Sequence, residues 1–268
     1  MNASNQQLKA TSAKLLETTQ AVETAVDGIA ISDLEGNLVF INQAFAGMHG
    51  LKAEDLIGKG MGIFHTPEQL ASDVQSHLAQ MMKKGSANGE VWHVRQDGST
   101  FPTFMSTSIV KDEAGKPVRM IGVARDITEQ KKAEEALRIK DGAIESSINA
   151  IAIADMQGNL NYVNSAFLKL WGYGTPAEVL GKSVLGFWQM GDKAAEITDA
   201  VQVKGGWIGE LVAQRKDGSL LDVQISASMV VDPAGRPVCM QGAFIDITER
   251  KKAEEALKQS EEKVKAYN

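Results

Sequence analysis

At 268 residues the chain is long enough for two domains of ordinary size. Its formal net charge is −6, and its lysines are interleaved with acidic residues, so a nucleic-acid partner is not predicted. No apolar stretch approaches the roughly 18 residues of a membrane span, and the N-terminus lacks the layout of a signal peptide. Cys239 is the only cysteine, so no intrachain disulfide can form. These features predict a soluble, cytoplasmic protein.

The chain contains an internal duplication. The segment Asp126–Leu137 returns as Asp246–Leu257 with one substitution in twelve positions and an offset of 120. Upstream, Gly28–Asp33 matches Ala150–Asp155. Solenoid repeats have periods of roughly 20 to 50 residues, so a period this long predicts that each copy is a domain with its own core.

The first 26 residues are predicted to form a helix that pairs with another helix. Leu8, Leu15 and Val22 are spaced seven residues apart, and no glycine or proline interrupts them. Asp27-Gly28 ends the pattern. Residues 1–26 are therefore interpreted as a dimerisation helix.

Each copy, 27–127 and 149–247, is predicted to contain strands around a central group of helices. In the first copy, β-type runs and one amphipathic helix follow in this order: strands Ile29–Ser32 and Leu38–Ile41, helix Glu68–Lys84, then strands Glu90–Gln96, Thr100–Val110 and Val118–Arg125. Turn signals such as Asp97-Gly98 separate the last three strands. This order predicts an α+β domain with an antiparallel sheet.

Two further helices are predicted, at 128–148 and 248–268. Asp126 or Thr128 can cap the first of them, and Glu129 can complete a capping box with Asp126. Leu137 and Ile144 lie seven residues apart, and Gly142 is a weak point between them.

The helix at 248–268 repeats the seven-residue spacing with Leu257 and Val264. Three helices with such seams predict a parallel homodimer formed through the helical segments.

The order and spacing of these motifs, found twice, resemble the PAS superfamily over the whole chain apart from the first helix. The residues that carry the resemblance are Gly36-Asn37 and Gly158-Asn159, Asn42 and Asn164, Phe45 and Phe167, Gly58-Lys59 and Gly181-Lys182, Arg95–Gly98 and Arg215–Gly218, and the Asp-Ile-Thr segments at 126–128 and 246–248. The resemblance implies two α+β PAS domains, each a five-stranded antiparallel sheet with helices over one face.

Such tandem domains usually precede a histidine kinase, diguanylate cyclase or chemoreceptor output domain, none of which this sequence contains. The chain is therefore interpreted as the sensory region of a prokaryotic signalling protein, with a sensor histidine kinase as the expected type. An enzyme is not predicted, because phosphate-binding, nucleophile and metal-binding motifs are missing. The expected relay residues are Asp126, Thr128, Asp246 and Thr248, where each last strand becomes a helix.

Light sensing by a cysteine adduct is excluded. The light-oxygen-voltage subgroup uses a cysteine that neither Gly58–Leu70 nor Gly181–Met190 contains, and its usual glutamine is replaced by Ala124 and Phe244. Non-covalent flavin or a small apolar ligand stays open, as does the absence of any ligand.

Haem and metals are disfavoured. The possible metal ligands are His65 and His77, and His77 on the long helix stands too close to Gly85 to match the haem ligand of one PAS subgroup. The four histidines look scattered, and no metal site is predicted.

Strand periodicity allows the two expected pockets to be compared. Alternation places His93, Thr103, Met105, Thr107, Gly122 and Ala124 on the inner side of the first domain. Leu211, Ala213, Val223, Ile225, Ala227, Met240, Gly242 and Phe244 take the corresponding places in the second. The first pocket is predicted to be roomier and to bind any small-molecule ligand, because its polar groups need partners and Phe244 is expected to fill the second.

Two functions remain in competition. The first is a cytoplasmic sensor that relays a ligand, redox or gas signal to a downstream effector. The second is a dimerisation scaffold that binds no small molecule. In the first pocket, the alternative to a ligand is that the polar groups bond to the backbone or to a trapped water.

Overall fold

The computed structural model describes residues 3–189 and 193–267. The chain divides into two compact units, Met1–Glu135 and Ala136–Asn268. Each unit has one five-stranded antiparallel sheet with short helices against it, which is the α+β architecture predicted from the sequence.

The first unit begins with helix α1 (Ala3–Glu23), strands β1 (Gly28–Ser32) and β2 (Leu38–Ile41), and the short helix α2 (Gln43–Met48). Turns of 3-10 helix at Ala53–Asp55 and Met61–Phe64 lead to α3 (Pro67–Gln69) and α4 (Gln75–Lys84). Strands β3 (Ser86–Val94), β4 (Thr100–Lys111) and β5 (Pro117–Asp126) complete the sheet.

The predicted long helix of the first unit is interrupted. A π-helical turn at Leu70–Val74 separates α3 from α4. Thr66 and Gln69 form a capping box at the start, and Gly85 ends α4 at φ 82°, a conformation that favours glycine.

Helix α5 (Thr128–Glu145) connects the two units and runs through Gly142 without a break. The second unit continues with β6 (Ala150–Ala154), β7 (Leu160–Val163), α6 (Ser165–Trp171), 3-10 turns at Pro176–Glu178 and Val184–Phe187, and α7 (Lys193–Lys204). It ends with β8 (Gly206–Gln214), β9 (Leu220–Val231), β10 (Pro237–Asp246) and α8 (Thr248–Tyr267). The side chain of Val264, the last predicted heptad position, lies outside the described residues.

The last strand of each unit lies at the centre of its sheet. The strand orders are β2-β1-β5-β4-β3 and β7-β6-β10-β9-β8. Strand β5 pairs with β1 and β4, and β10 pairs with β6 and β9. The chain therefore leaves each sheet from its most constrained strand and enters a helix one residue later.

No helix among the described residues is long and apolar enough to cross a membrane.

Candidate functional site

An aspartate at the end of each central strand joins three parts of its unit. Asp126 Oδ1 accepts a hydrogen bond from the amide of Thr128 at 2.8 Å, and its Oδ2 accepts one from the Arg95 guanidinium at 2.8 Å. In the second unit, Asp246 accepts a hydrogen bond from the Thr248 amide at 2.9 Å and one from the Arg215 guanidinium at 3.2 Å. Burial raises the pKa of Asp126, but its hydrogen bonds with Thr128 and Arg95 outweigh that effect and lower the pKa overall.

The predicted capping box at this junction is wrong. Glu129 does not reach back to Asp126, because its carboxylate accepts from Lys132 Nζ at 2.9 Å on the exposed helix surface.

A buried isoleucine fixes the start of each helix against the neighbouring strand. Ile127 is 6% exposed and its amide donates to the Pro102 carbonyl at 3.1 Å. Ile247 is 4% exposed and its amide donates to the Asp222 carbonyl at 2.9 Å. In the second unit the Thr248 hydroxyl also accepts from the Asp222 amide at 3.1 Å. The start of each helix is therefore anchored to the last strand by the aspartate and to the neighbouring strand by the isoleucine.

A fully buried asparagine ties the helix that precedes each domain to the sheet. Asn164 Oδ1 accepts from the amides of Ile151 and Phe167 at 2.8 and 3.0 Å. Its Nδ2 donates to the carbonyls of Ile144 in α5 and Asn149 at 3.1 and 3.0 Å. All four hydrogen-bonding positions of the amide are used.

Asn42 repeats the arrangement in the first unit. It accepts from the Ile29 and Phe45 amides at 2.8 and 2.9 Å and donates to the carbonyls of Val22 in α1 and Asp27 at 3.0 Å. From the sequence, Asn42 and Asn164 were recognised only as part of the resemblance to PAS domains. Their position after a β-type run and three residues before a phenylalanine was the available signal of a helix cap.

The side chains predicted to line the first pocket do lie on one side of the sheet. His93, Thr103 and Ala124 are buried at 1%, 0% and 0%, and Met105 packs against the core. Phe104, between two of them, is 45% exposed, so the predicted strand alternation is confirmed.

The polar groups of this set are largely bonded within the protein. Thr103 donates to the Val91 carbonyl at 2.8 Å, and the Thr107 hydroxyl lies 2.8 Å from His77 Nε2. A Cβ placed on Gly122 would lie 3.3 Å from the end of Met105, so that side chain covers the glycine. These contacts match the alternative to ligand binding, in which the polar groups of the first pocket are bonded within the protein.

Three of the four histidines, His49, His65 and His93, are clustered in the first unit, although they look scattered in the sequence. His49 Nε2 and His93 Nδ1 are 2.9 Å apart, and both side chains are buried. The rings of His65 and His93 are perpendicular with centroids 4.6 Å apart. Helix α2, a 3-10 turn and strand β3 bring them together, a tertiary arrangement without a local sequence signal. Among the described residues, no group of three or more His, Cys, Asp or Glu is placed to hold a metal ion.

The second unit contains a partly open cavity of about 170 Å³ lined by described residues. Most of its lining is apolar: Ala152, Ala154, Leu160, Val184, Leu185, Trp188, Ile197, Val201, Leu211, Ile225, Ala227, Met240, Gly242 and Phe244. Gln157, Ser183 and Gln241 lie among the polar lining residues.

The prediction that Phe244 fills the second pocket is wrong. Its ring folds over Gly242, where an added Cβ would lie 2.6 Å from Phe244 Cζ, and packs against Trp171 with centroids 5.1 Å apart. Phe244 is therefore a wall of the cavity. Strand position gives the side of a sheet on which a ring lies but not its rotamer, so the sequence could not specify where the Phe244 ring packs.

Two sheets of this strand order, each with short helices on one face and a central last strand that passes into a helix, define a tandem sensory fold. The chain belongs to the PAS family: the family models described as "PAS domain" and "PAS fold" match residues 26–129 and 139–247.

The relatives include sensors of two-component systems. The chain is 27% identical over 141 residues to the C4-dicarboxylate transport sensor protein DctS of Rhodobacter capsulatus, a match over 52% of this chain and 21% of that protein. It is 28% identical over 117 residues to the sensor histidine kinase TmoS of Ectopseudomonas mendocina, over 43% of this chain and 12% of that protein. The matched segments span 12 to 22% of the curated relatives.

Among solved structures, the PAS domain of a protein from Colwellia psychrerythraea matches 43% of this chain and 98% of its own, at 23% identity and a TM-score of 0.41.

Proposed function

We propose that this chain is the sensory region of a cytoplasmic signalling protein, in which the second PAS domain binds a small apolar molecule and α8 passes the signal to a downstream effector. A histidine kinase is the proposed effector, in line with the histidine kinases among the relatives. The proposal includes a homodimer formed through the helical segments.

One observation carries the proposal. Strand β10 lines the cavity with Met240, Gly242 and Phe244, and the same strand ends at Asp246, which holds the start of α8. Phe244 is two residues from Asp246. A ligand that displaces the Phe244 ring therefore acts on the strand that positions the output helix, without an intermediate element.

The size and lining of the cavity indicate the class of ligand. At about 170 Å³ it resembles engineered apolar cavities of about 150 Å³ that bind benzene, and lies below the roughly 300 to 1,000 Å³ of sites for drug-sized molecules. The proposed ligand is an uncharged molecule of about one small ring. The ligand site predicted in the first domain, around His93 and Thr103, stays a prediction.

Binding of benzene, measured by chemical-shift changes in the labelled full chain, tests the ligand step. Ala227→Leu adds a larger side chain to the wall and is expected to abolish binding. Ser226→Leu is the matched control, because Ser226 is the neighbouring residue on the exposed face of β9. Benzene binding that persists unchanged in the Ala227 variant would refute the assignment of the cavity.

The relay step is tested with a fusion of residues 1–268 to a histidine kinase core. Asp246→Ala combined with Thr248→Ala is expected to change kinase output while leaving benzene affinity within about twofold. Loss of one helix cap costs about 1 kcal/mol, which is small against the stability of a domain but shifts a balanced two-state helix about fivefold. Asp232→Ala, in a surface turn of the same unit, is the control. Unchanged kinase output in the double variant would contradict the proposal. The scaffold function would then be the remaining explanation.

A further inference from the structure

The three clustered histidines occupy places that aromatic and aliphatic residues occupy in the second unit. His49 is seven residues after Asn42, as Trp171 is after Asn164. His65 and Trp188 each follow the 3-10 turn of their unit, and His93 and Ala213 are the penultimate residues of β3 and β8. The same scaffold thus has an ionisable core in one copy and an apolar aromatic core in the other.

The hydrogen bonds of this cluster fix where its protons are. His49 Nδ1 lies 2.7 Å from the Phe45 carbonyl, an acceptor, so this nitrogen carries the hydrogen. In the neutral ring His49 Nε2 is then an acceptor, and His93 Nδ1, 2.9 Å away, must donate to it. His93 Nε2 is consequently left with a bare lone pair. It is buried and has no hydrogen-bond partner among the described residues.

His93 Nε2 is the one atom of the pair that can take up a proton without breaking the existing bonds. Protonation would place an imidazolium, 1% exposed, beside the rings of Phe45 and Phe101 with no acceptor for its new N–H. An unpaired buried charge is strongly unfavourable, so the proton enters only as the core opens. The ionisable groups facing the pair are His65, Arg95 and Asp126.

A chain of contacts connects the cluster to the start of α5. The Phe101 ring packs edge-on against His49 and His93, with centroids 5.3 and 5.8 Å away. The Arg95 guanidinium lies 3.7 Å above the Phe101 ring, donates to the Met48 carbonyl at the end of α2, and binds Asp126. In β9 the place of Phe101 is taken by Leu221, so the second unit lacks this link.

We propose that the first domain is a proton-responsive module: uptake of one proton at His93 Nε2 opens the histidine cluster and loosens the contact of Arg95 with Asp126 at the start of α5. The second domain has Trp171, Trp188 and Ala213 in the corresponding places and does not respond. Only the step from α5 to an effector rests on the function proposed above.

The direction of the pH effect follows from burial. Burial lowers the pKa of His49 to about 4 and the pKa of His93 well below its usual range, and the charge of His65 acts in the same direction. The unfolded histidines take up protons near pH 6.5. The closed core therefore has its full stability above about pH 6.5 and loses stability as the pH falls below that value. For each proton taken up, the equilibrium constant for opening rises about tenfold with each pH unit.

Nuclear magnetic resonance of the full chain tests the inference at two levels. Long-range nitrogen correlations at pH 7.5 are expected to show His49 and His93 protonated at Nδ1 only. Hydrogen exchange then compares the amides of Thr128 and Thr248, which are held by equivalent aspartates. Between pH 7.5 and 5.5 the protection of Thr128 relative to Thr248 is expected to fall about tenfold.

Variants complete the test. His49→Phe with His93→Leu removes the proton site and should make the protection ratio independent of pH, while His77→Gln, a half-buried histidine on α4, should leave the pH effect in place. An Nε2–H form of His93, or a constant ratio in the unmodified protein, overturns the inference even if the double variant does not fold. Because exchange needs no effector, this result is independent of the kinase-fusion result.

Discussion

Replacing Asn164 with alanine is expected to destabilise the second unit strongly. The side chain is completely buried, and alanine removes four hydrogen bonds, leaving the amides of Ile151 and Phe167 and the carbonyls of Ile144 and Asn149 without this partner. A hydrogen bond contributes about 0.5 to 1.5 kcal/mol net, so we expect a loss of about 3 kcal/mol. That is a large share of the roughly 5 to 15 kcal/mol that stabilises a domain.

Tryptophan fluorescence in urea can measure this loss, because Trp171, Trp188 and Trp207 lie in the second unit and only Trp92 lies in the first. With a denaturant slope of about 1 to 3 kcal/mol per molar, a loss of about 3 kcal/mol is expected to lower the midpoint by about 1 to 3 M.

Two controls separate the amide's role from the general cost of a substitution. Asn164→Asp keeps both acceptor bonds but sets a second carboxyl oxygen against the carbonyls of Ile144 and Asn149, so it should be less stable when that carboxyl is ionised than at low pH, where the protonated carboxyl restores one donor. Asn159→Ala removes one side-chain bond to Asp155 in a turn and should change the free energy of unfolding by less than about 1 kcal/mol. A midpoint for Asn164→Ala within the range of the Asn159 variant would refute the reasoning.

Three further outcomes are expected. Leu15→Glu with Val22→Glu should weaken self-association, measured by light scattering at tens of micromolar, on the order of weak-dimer constants. The control Thr18→Glu should not weaken it. Equal masses for the unmodified chain, the double variant and the control would contradict pairing through α1. Gly242→Ala should push the Phe244 ring, 2.6 Å from the new Cβ, out of its position and lower benzene affinity; unchanged binding would show that this ring does not border the ligand. The first unit should unfold at lower temperature as the pH falls from 7 to 5, because its buried histidines have lowered pKa values; a calorimetric transition that does not move would contradict this.

Much of the fold could be predicted because the relevant signals are local. Strand alternation put His93, Thr103 and Ala124 on the buried side, and turn residues separated the strands that the sheet then pairs. Because the sequence is duplicated, a strand or turn predicted in one copy could be checked against the same motif in the other. The family assignment followed from the same short motifs.

The site could not be predicted to the same depth, because its properties depend on contacts between distant segments. His49 and His93 are 44 residues apart in sequence and meet only when α2 packs on β3. The cavity depends on the rotamer of Phe244, which sequence periodicity does not specify. The capping box predicted at Asp126 and Glu129 is a case of competition, since Glu129 instead pairs with Lys132 on the exposed surface of the helix.

The two copies agree in one set of residues and differ in another, and the difference has a physical meaning. The asparagines that hold the preceding helices, and the arginine and aspartate at the exits, make the same contacts in both units. The core between them differs: imidazoles in the first unit, indoles and a cavity in the second. Because the contacts to the helices are the same, the proposed relay would carry a change in either core to the following helix through an equivalent junction. The proposals for the two domains thus assign a different stimulus to each core and the same kind of exit to both.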